Sequence, residues 1–184
     1  MFSQVFQSDG TFVGKFGSCG SGRGQLEHPH YIAVSNTNRV IVSDGNNHRI
    51  QIFDVNGHVL TSFGSEGSDE GQFKFPRGVA VDDQGYIVVA DSGNNRIQIF
   101  SPEGAFLKSF GGWGSGDGEF KGLEGVAVTS TGNIVVCDRE NHRVQVFWFR
   151  FVSLCSLLFL LWFVDQGRRT IAKEGCFKKT NSVF

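Results

Sequence analysis

The sequence predicts an all-β fold, a partial β-propeller of about three four-stranded blades. Three observations point to it. First, an internal repeat runs through the chain with a period of 47 residues: Ala33, Ala80 and Ala127 keep that spacing, as do Asp44, Asp91 and Asp138, and Phe53, Phe100 and Phe147. Second, each unit holds four short runs rich in Val, Ile and Phe, bounded by Gly, Asn, Asp and Ser, which is the pattern of strands and tight turns. Third, no segment before residue 148 carries a convincing 3.6-residue apolar period. A fixed period in the forties marks a stacked or radial array. Four antiparallel strands per period read as a propeller blade.

The elements follow in order. In the first full unit the strand signals are Tyr31–Val34, Arg39–Ser43, Arg49–Phe53 and Val59–Phe63; in the second they are Gly78–Val81, Tyr86–Ala90, Arg96–Phe100 and Phe106–Phe110. Asn56-Gly57, Glu103-Gly104 and Thr131-Gly132 supply tight turns. The third unit stops after Val126–Val128, Asn133–Cys137 and Arg143–Phe147. At the start, Val5-Phe6 aligns with Ile52-Phe53, and Thr11–Phe16 aligns with a fourth strand. The resulting organisation is a partial blade at 1–28, blades at 29–75 and 76–122, a partial blade at 123–147, and a non-repeat tail at 148–184. Thirteen strands make just over three blades, whereas closed rings have roughly four to eight. Self-association or further blades are therefore expected to close the propeller, and residues 1–147 alone are expected to show two open edges.

The tail differs in kind. Phe151–Val164 is 14 residues without a charge, short of the roughly 20 that span a bilayer. A basic end follows, with Arg168, Arg169, Lys173, Lys178 and Lys179. Three readings stand: a short anchor or interfacial helix, an apolar helix packed on the open propeller end, or a segment that is not native coding sequence. The tail breaks the repeat where a turn and a fourth strand are due, so it is set aside from the functional reading. No membrane partner is expected.

Composition narrows the function. The net charge of the 184 residues is -1. Residues 1–147 hold 11 Lys/Arg against 16 Asp/Glu, and residues 148–184 hold 6 against 2. The repeat region thus lacks the basic footprint of a dedicated nucleic-acid domain. Cys19, Cys137, Cys155 and Cys176 form no C-x-x-C pair, so zinc-finger spacing is absent. Cys137 aligns with Ser43 and Ala90, and a packed position is expected for it. Met1-Phe2-Ser3 runs straight into a strand without a secretory signal. A reducing, cytoplasmic setting is expected.

The most regular motif is Asp-x-x-Asn-His-Arg-Ile-Gln-Ile-Phe at Asp44–Phe53, repeated with Asn95 in place of His at Asp91–Phe100 and with Val144 and Val146 in place of Ile at Asp138–Phe147. A Gly-rich linker, Phe-Gly-x-x-Gly-x-x-x-Gly-x-Phe, lies at Phe63–Phe73, with echoes at Phe16–Leu26 and Phe110–Phe120. Together these resemble the NHL repeat, and the whole looks most like the C-terminal propeller of the TRIM-NHL family of RING-type ubiquitin ligases. The resemblance covers nearly all of residues 1–147. It implies a six-bladed propeller preceded by a RING finger, B-boxes and a coiled coil. In that family the RING recruits a ubiquitin-conjugating enzyme and the propeller captures protein or RNA. Residues 1–184 show no RING or B-box pattern and hold about half of such a propeller. No catalysis and no cofactor are expected of this chain; zinc would belong to the RING and B-boxes. The expected role is substrate recognition for a ubiquitin ligase, with RNA binding as the alternative.

In an up-and-down blade, the second-to-third turns share a face with the inter-blade loops. That face collects Asp44–His48, Asp91–Asn95 and Asp138–His142, with Gly17–His30, Gly64–Arg77 and Gly111–Glu124. Variation on a constant scaffold is where specificity normally sits. The partner-binding candidates are His30 and Tyr31, Arg77 and Glu124, at equivalent positions with different chemistry. For RNA the resemblance points to His30, Tyr31 and Arg77, while Glu124 would repel phosphate. Trp113, between glycines, is either an anchor for a protein partner or a cover for the neighbouring blade. The recurring Asp44, Asn47 and Arg49, with Asp91, Asn94, Arg96, Asp138, Asn141 and Arg143, read as structural: Asp accepts turn amides, Asn tolerates the left-handed region, and Arg pairs with an Asp of the same or an adjacent blade. His28-Pro29-His30 raises a zinc question. Some NHL-like propellers are lyases that hold zinc through His. The next unit has Phe75 and Arg77 instead, so no metal site is expected.

Overall fold

The computed structural model describes residues 3–148. Those residues form thirteen strands in four antiparallel sheets. The first sheet pairs β1 (Ser3–Phe6) with β2 (Phe12–Phe16). The second runs in chain order through β3 (Pro29–Val34), β4 (Val40–Asp44), β5 (Arg49–Phe53) and β6 (Val59–Phe63). The third holds β7 (Val79–Val81), β8 (Ile87–Asp91), β9 (Arg96–Phe100) and β10 (Phe106–Phe110). The fourth holds β11 (Leu123–Val128), β12 (Asn133–Asp138) and β13 (Arg143–Trp148). This is the up-and-down order of propeller blades. The tail reading falls on residues outside those described.

The strand ends differ slightly from expectation. β3 begins at Pro29 and β11 at Leu123, because Pro29 pairs with Asp44 and Leu123 with Asp138 across an irregularity in each ladder. β7 begins one residue later than expected, at Val79.

Apolar side chains cement blade to blade. Ile41, Ile50 and Ile52 of the second blade pack on Phe73, Val79, Ile87, Val89 and Phe100 around the third. Val88, Ala90, Ile97 and Ile99 repeat this against Phe120, Leu123, Ile134 and Val136. Phe16 and Val59 close a smaller cluster with Leu26, Val40, Val42 and Phe53. Central strands β4 and β8 are therefore buried at every position, as strands covered on both faces must be. β13 instead alternates between half-buried and exposed, because among the described residues nothing covers its outer face. The same uncovered face corrects the expectation for Cys137. Ser43 and Ala90 are fully buried, but Cys137 is exposed.

The innermost strands approach closely. The Gly78 amide donates to the Glu124 carbonyl at 2.9 Å. A Cβ on Gly78 would sit 2.6 Å from that oxygen and 2.8 Å from the Val126 nitrogen, and both are backbone atoms that cannot yield by changing rotamer. Gly78→Ala is expected to push β7 from β11 and destabilise the fold by about 1–3 kcal/mol. Gly112→Ala, where the added methyl meets nothing within 4 Å, serves as the control in denaturant unfolding. Equal midpoints for the two variants would contradict this packing.

Candidate functional site

Each inter-blade loop is held by a cluster that the next blade supplies. In the second blade, Asp44 is fully buried at the end of β4. Its Oδ1 accepts the Glu27 amide at 2.6 Å. Its Oδ2 accepts from Asn47 at 2.9 Å, Arg49 Nε at 2.8 Å and Gln51 at 3.2 Å. The donors then reach back into the loop. Asn47 donates to the Gly20 carbonyl, Arg49 to those of Ser21, Gly22 and Gln25, and Gln51 to that of Gln25. Gln51 Oε1 accepts the Gly24 amide.

The third blade repeats this with Asp91, Asn94, Arg96 and Gln98 on loop atoms of Gly67–Lys74. The fourth does so with Asp138, Asn141, Arg143 and Gln145. The Arg thus pairs within its own blade. A single 3₁₀ turn brings Asn and Arg round: Gly45–Asn47 is followed by His48 in the left-handed region at φ 53°. Gln51, Gln98 and Gln145 were visible in the motif, but pattern alone gave them no role; on a strand they look like solvent-facing alternates.

The loops end at the axis, where four of the five partner-binding candidates meet. Arg77 Nη1 lies 2.6 Å from Glu124 Oε2, an ion pair between adjacent blades, both side chains about a third exposed. Arg139 adds a second contact to the same oxygen at 3.3 Å and another to Glu140 at 3.2 Å. Sequence reasoning missed Arg139. Its signal was a charge where the other units have Gly45 and Ser92.

His30 rests its ring against the Gly45 backbone. Burial holds its pKa below the ordinary histidine value, and the Arg77 charge adds to this, with Glu124 partly opposing. Burial and the Arg77 charge thus both favour the neutral imidazole. Tyr31 occupies the position of Gly78 and Gly125 in the other units. Its hydroxyl and Cys137 Sγ each lie 3.8 Å from where a Gly125 Cβ would be, so Tyr31 reaches from the second blade to the fourth. Burial raises its pKa, and the Glu124 charge acts in the same direction.

Trp113 lies apart from this group, on the loop before the fourth blade. It is 71% exposed, so it does not cover the neighbouring blade. Lys121 Nζ sits 4.6 Å above its ring centre, a cation–π contact. On the other face, between the second and third blades, a cavity of about 260 Å³ is lined by Asn36, Arg39, Ile41, Ile52, Asp83 and Pro102 among others. Among the described residues no group of three or more His, Cys, Asp or Glu is placed to hold a metal ion, and no helix is long and apolar enough to cross a membrane.

The NHL repeat family matches the chain three times, at residues 26–53, 73–100 and 120–147. No curated protein matches it. Among solved structures, the WD40 β-propeller domain of Doa1 is similar with a TM-score of 0.60 at 17% identity, over 82% of this chain and 44% of that one. A virginiamycin B lyase from Staphylococcus aureus gives 0.54 at 12%, over 82% and 49%. A streptogramin B lyase gives 0.51 at 16%, over 79% and 41%. The chain thus spans less than half the length of these three proteins, and at such identities the likeness shows the propeller fold.

Two outcomes follow from the loop cluster. Asp91→Ala leaves Arg96, Asn94 and Gln98 without their shared acceptor, and is expected to cost about 3–5 kcal/mol in denaturant unfolding. A loss within about 0.5 kcal/mol, typical of a surface change, would contradict the cluster's role. For Asp138, burial opposes ionisation, but the Lys121 amide, Asn141 and Arg143 outweigh it and hold the pKa below its ordinary 3.8. A depressed carboxylate stabilises the fold above its unfolded pKa, and that contribution is lost as pH falls through the folded value. Stability is expected to drop below about pH 4, less steeply in Asp138→Asn. Identical pH slopes would contradict the assignment.

Proposed function

We propose that this NHL-repeat propeller segment is a protein-recognition module, the part of a RING-type ubiquitin ligase of the TRIM-NHL kind that selects the substrate. Propellers of this general type serve as interaction scaffolds, and the motif resemblance supports the ligase context. The RING, the zinc it needs and the catalytic step would lie elsewhere in such a ligase, and the setting would be cytoplasmic. The observation that carries the reading is the exposed Trp113 on a loop whose backbone is fixed from below. Asn141 donates to the adjoining Gly114 carbonyl at 2.9 Å. An exposed, positioned tryptophan is the residue type that most often anchors a protein partner.

Charge defines the partner further. The loops 17–30, 64–77 and 111–124 hold four Lys/Arg against seven Asp/Glu. A partner with an apolar pocket or side chain flanked by basic residues complements this face. RNA is the weaker reading, because Arg77, its best phosphate ligand here, is already engaged by Glu124. Capture of a protein from cell extract is expected to resist nuclease treatment and to weaken about tenfold or more in Trp113→Ala. Capture abolished by nuclease, with steep salt dependence and loss in Arg77→Glu, would overturn the reading in favour of RNA.

A further inference from the structure

The repeat buries one set of residues twice and leaves its third copy bare. Ile50 and Ile52, then Ile97 and Ile99, are fully buried under the following blade. Val144 and Val146, at the same positions of β13, are 61% and 56% exposed. The opposite end shows the reverse. Val79 and Val126 pack against the blade before them, yet Ile32 and Val34 of β3 are 52% and 59% exposed. Among the described residues, one uncovered face has the chemistry of a blade with no successor. The other has that of a blade whose predecessor lacks its inner strands.

The two partial sheets complement each other. Counted by the repeat, β11, β12 and β13 are the first, second and third strands of a blade, and β1 and β2 are a third and a fourth. β13 has the stronger claim to the third place. It pairs six residues with β12 and supplies Arg143 and Gln145 to Asp138. β1 pairs four residues with β2 across an irregularity, and Phe2 stands where the motif has Arg. β1 holds β2 in the register a better third strand would take.

We propose that two polypeptides of residues 1–184 join head to tail into one closed ring, β13 of each pairing with β2 of the other in place of β1. Each copy then contributes three whole blades. One copy gives three and three copies give nine, whereas two give six, inside the range of roughly four to eight that closes. Two identical junctions about one two-fold axis cover both apolar faces and remove both open edges. The register follows from the repeat. Val5 faces Gly14 in the β1–β2 pair, so Val146 of one copy faces Gly14 of the other.

Sedimentation of residues 1–184 over a range of concentrations is the test. The expected species has twice the chain mass of 20.2 kDa, and Val144→Asp with Val146→Asp returns it to a monomer. A monomer throughout, or a mass that keeps rising with concentration, overturns the proposal. A second measurement does not depend on that variant's folding. Mild oxidation of chain carrying Gly14→Cys and Val146→Cys is expected to give a covalent dimer, since directly opposed strand positions lie within disulfide reach. Cross-linking no faster than with Gly14→Cys and Gln145→Cys, or than in the unsubstituted chain, overturns it as well.

Discussion

A buried carboxylate governs each of the second, third and fourth blades. Asp44, Asp91 and Asp138 are fully buried, and an isolated charge in such a place would cost several kcal/mol. Each is satisfied by a backbone amide from the preceding loop and by Asn, Arg and Gln of its own blade. Because the same donors also bind loop carbonyls, satisfying the charge fixes the loop. Blade-to-blade order thus rests on a polar cluster as much as on the apolar seams. The seams supply non-directional attraction, whereas the cluster specifies which loop atoms meet which strand.

The grip is on backbone. Gly20, Ser21, Gly22 and Gln25 are held through their carbonyl oxygens, and Gly24 and Glu27 through their amides. Leu26, Phe73 and Phe120 of these loops fill the apolar seams, but the backbone grip leaves other loop side chains free to vary, which explains why one position can be Cys19, Glu66 or Trp113 in successive units. Each of the three still bridges to the same point further along its loop, at Leu26, Phe73 or Phe120. A rigid frame with free side chains is what recognition needs. The axis follows the same logic. Position 30, 77 or 124 lies at or just before the start of an inner strand in each unit, and its three chemistries converge as the Arg77–Glu124 pair with His30 beside it.

Much of the fold was legible because a 47-residue period leaves little freedom. Most strands begin and end where the Val, Ile and Phe runs do. Asp and Arg announced a turn through their own chemistry, but the left-handed conformation expected of Asn47, Asn94 and Asn141 falls on the next residue, His48, Asn95 or His142, and the Asn side chain bonds the Asp and a loop carbonyl instead. Less was legible where meaning depends on what lies opposite. Gln51 looks like any polar strand residue until the preceding loop is folded over it. Arg77 and Glu124 lie one period apart, and only the tight approach of β7 to β11 makes them partners. Cys137 matched buried positions by alignment, but burial belongs to the neighbouring blade and not to the residue. Trp113 could be placed on its loop, while the direction of its ring could not be read from glycines alone.

The central claim is that the loops are ordered by the Asp-centred clusters to the same degree as the strands. Hydrogen exchange of individual amides tests it most directly. The amides of Glu27, Lys74 and Lys121 donate to the three carboxylates, and those of Gly24, Gly71 and Gly118 to the three glutamines. These loop amides are predicted to be protected as strongly as those of β4 and β8, and to open in the same cooperative event. Exchange at the rate of exposed turn amides, with the strands still protected, would show that the loops are merely tethered and would contradict the account.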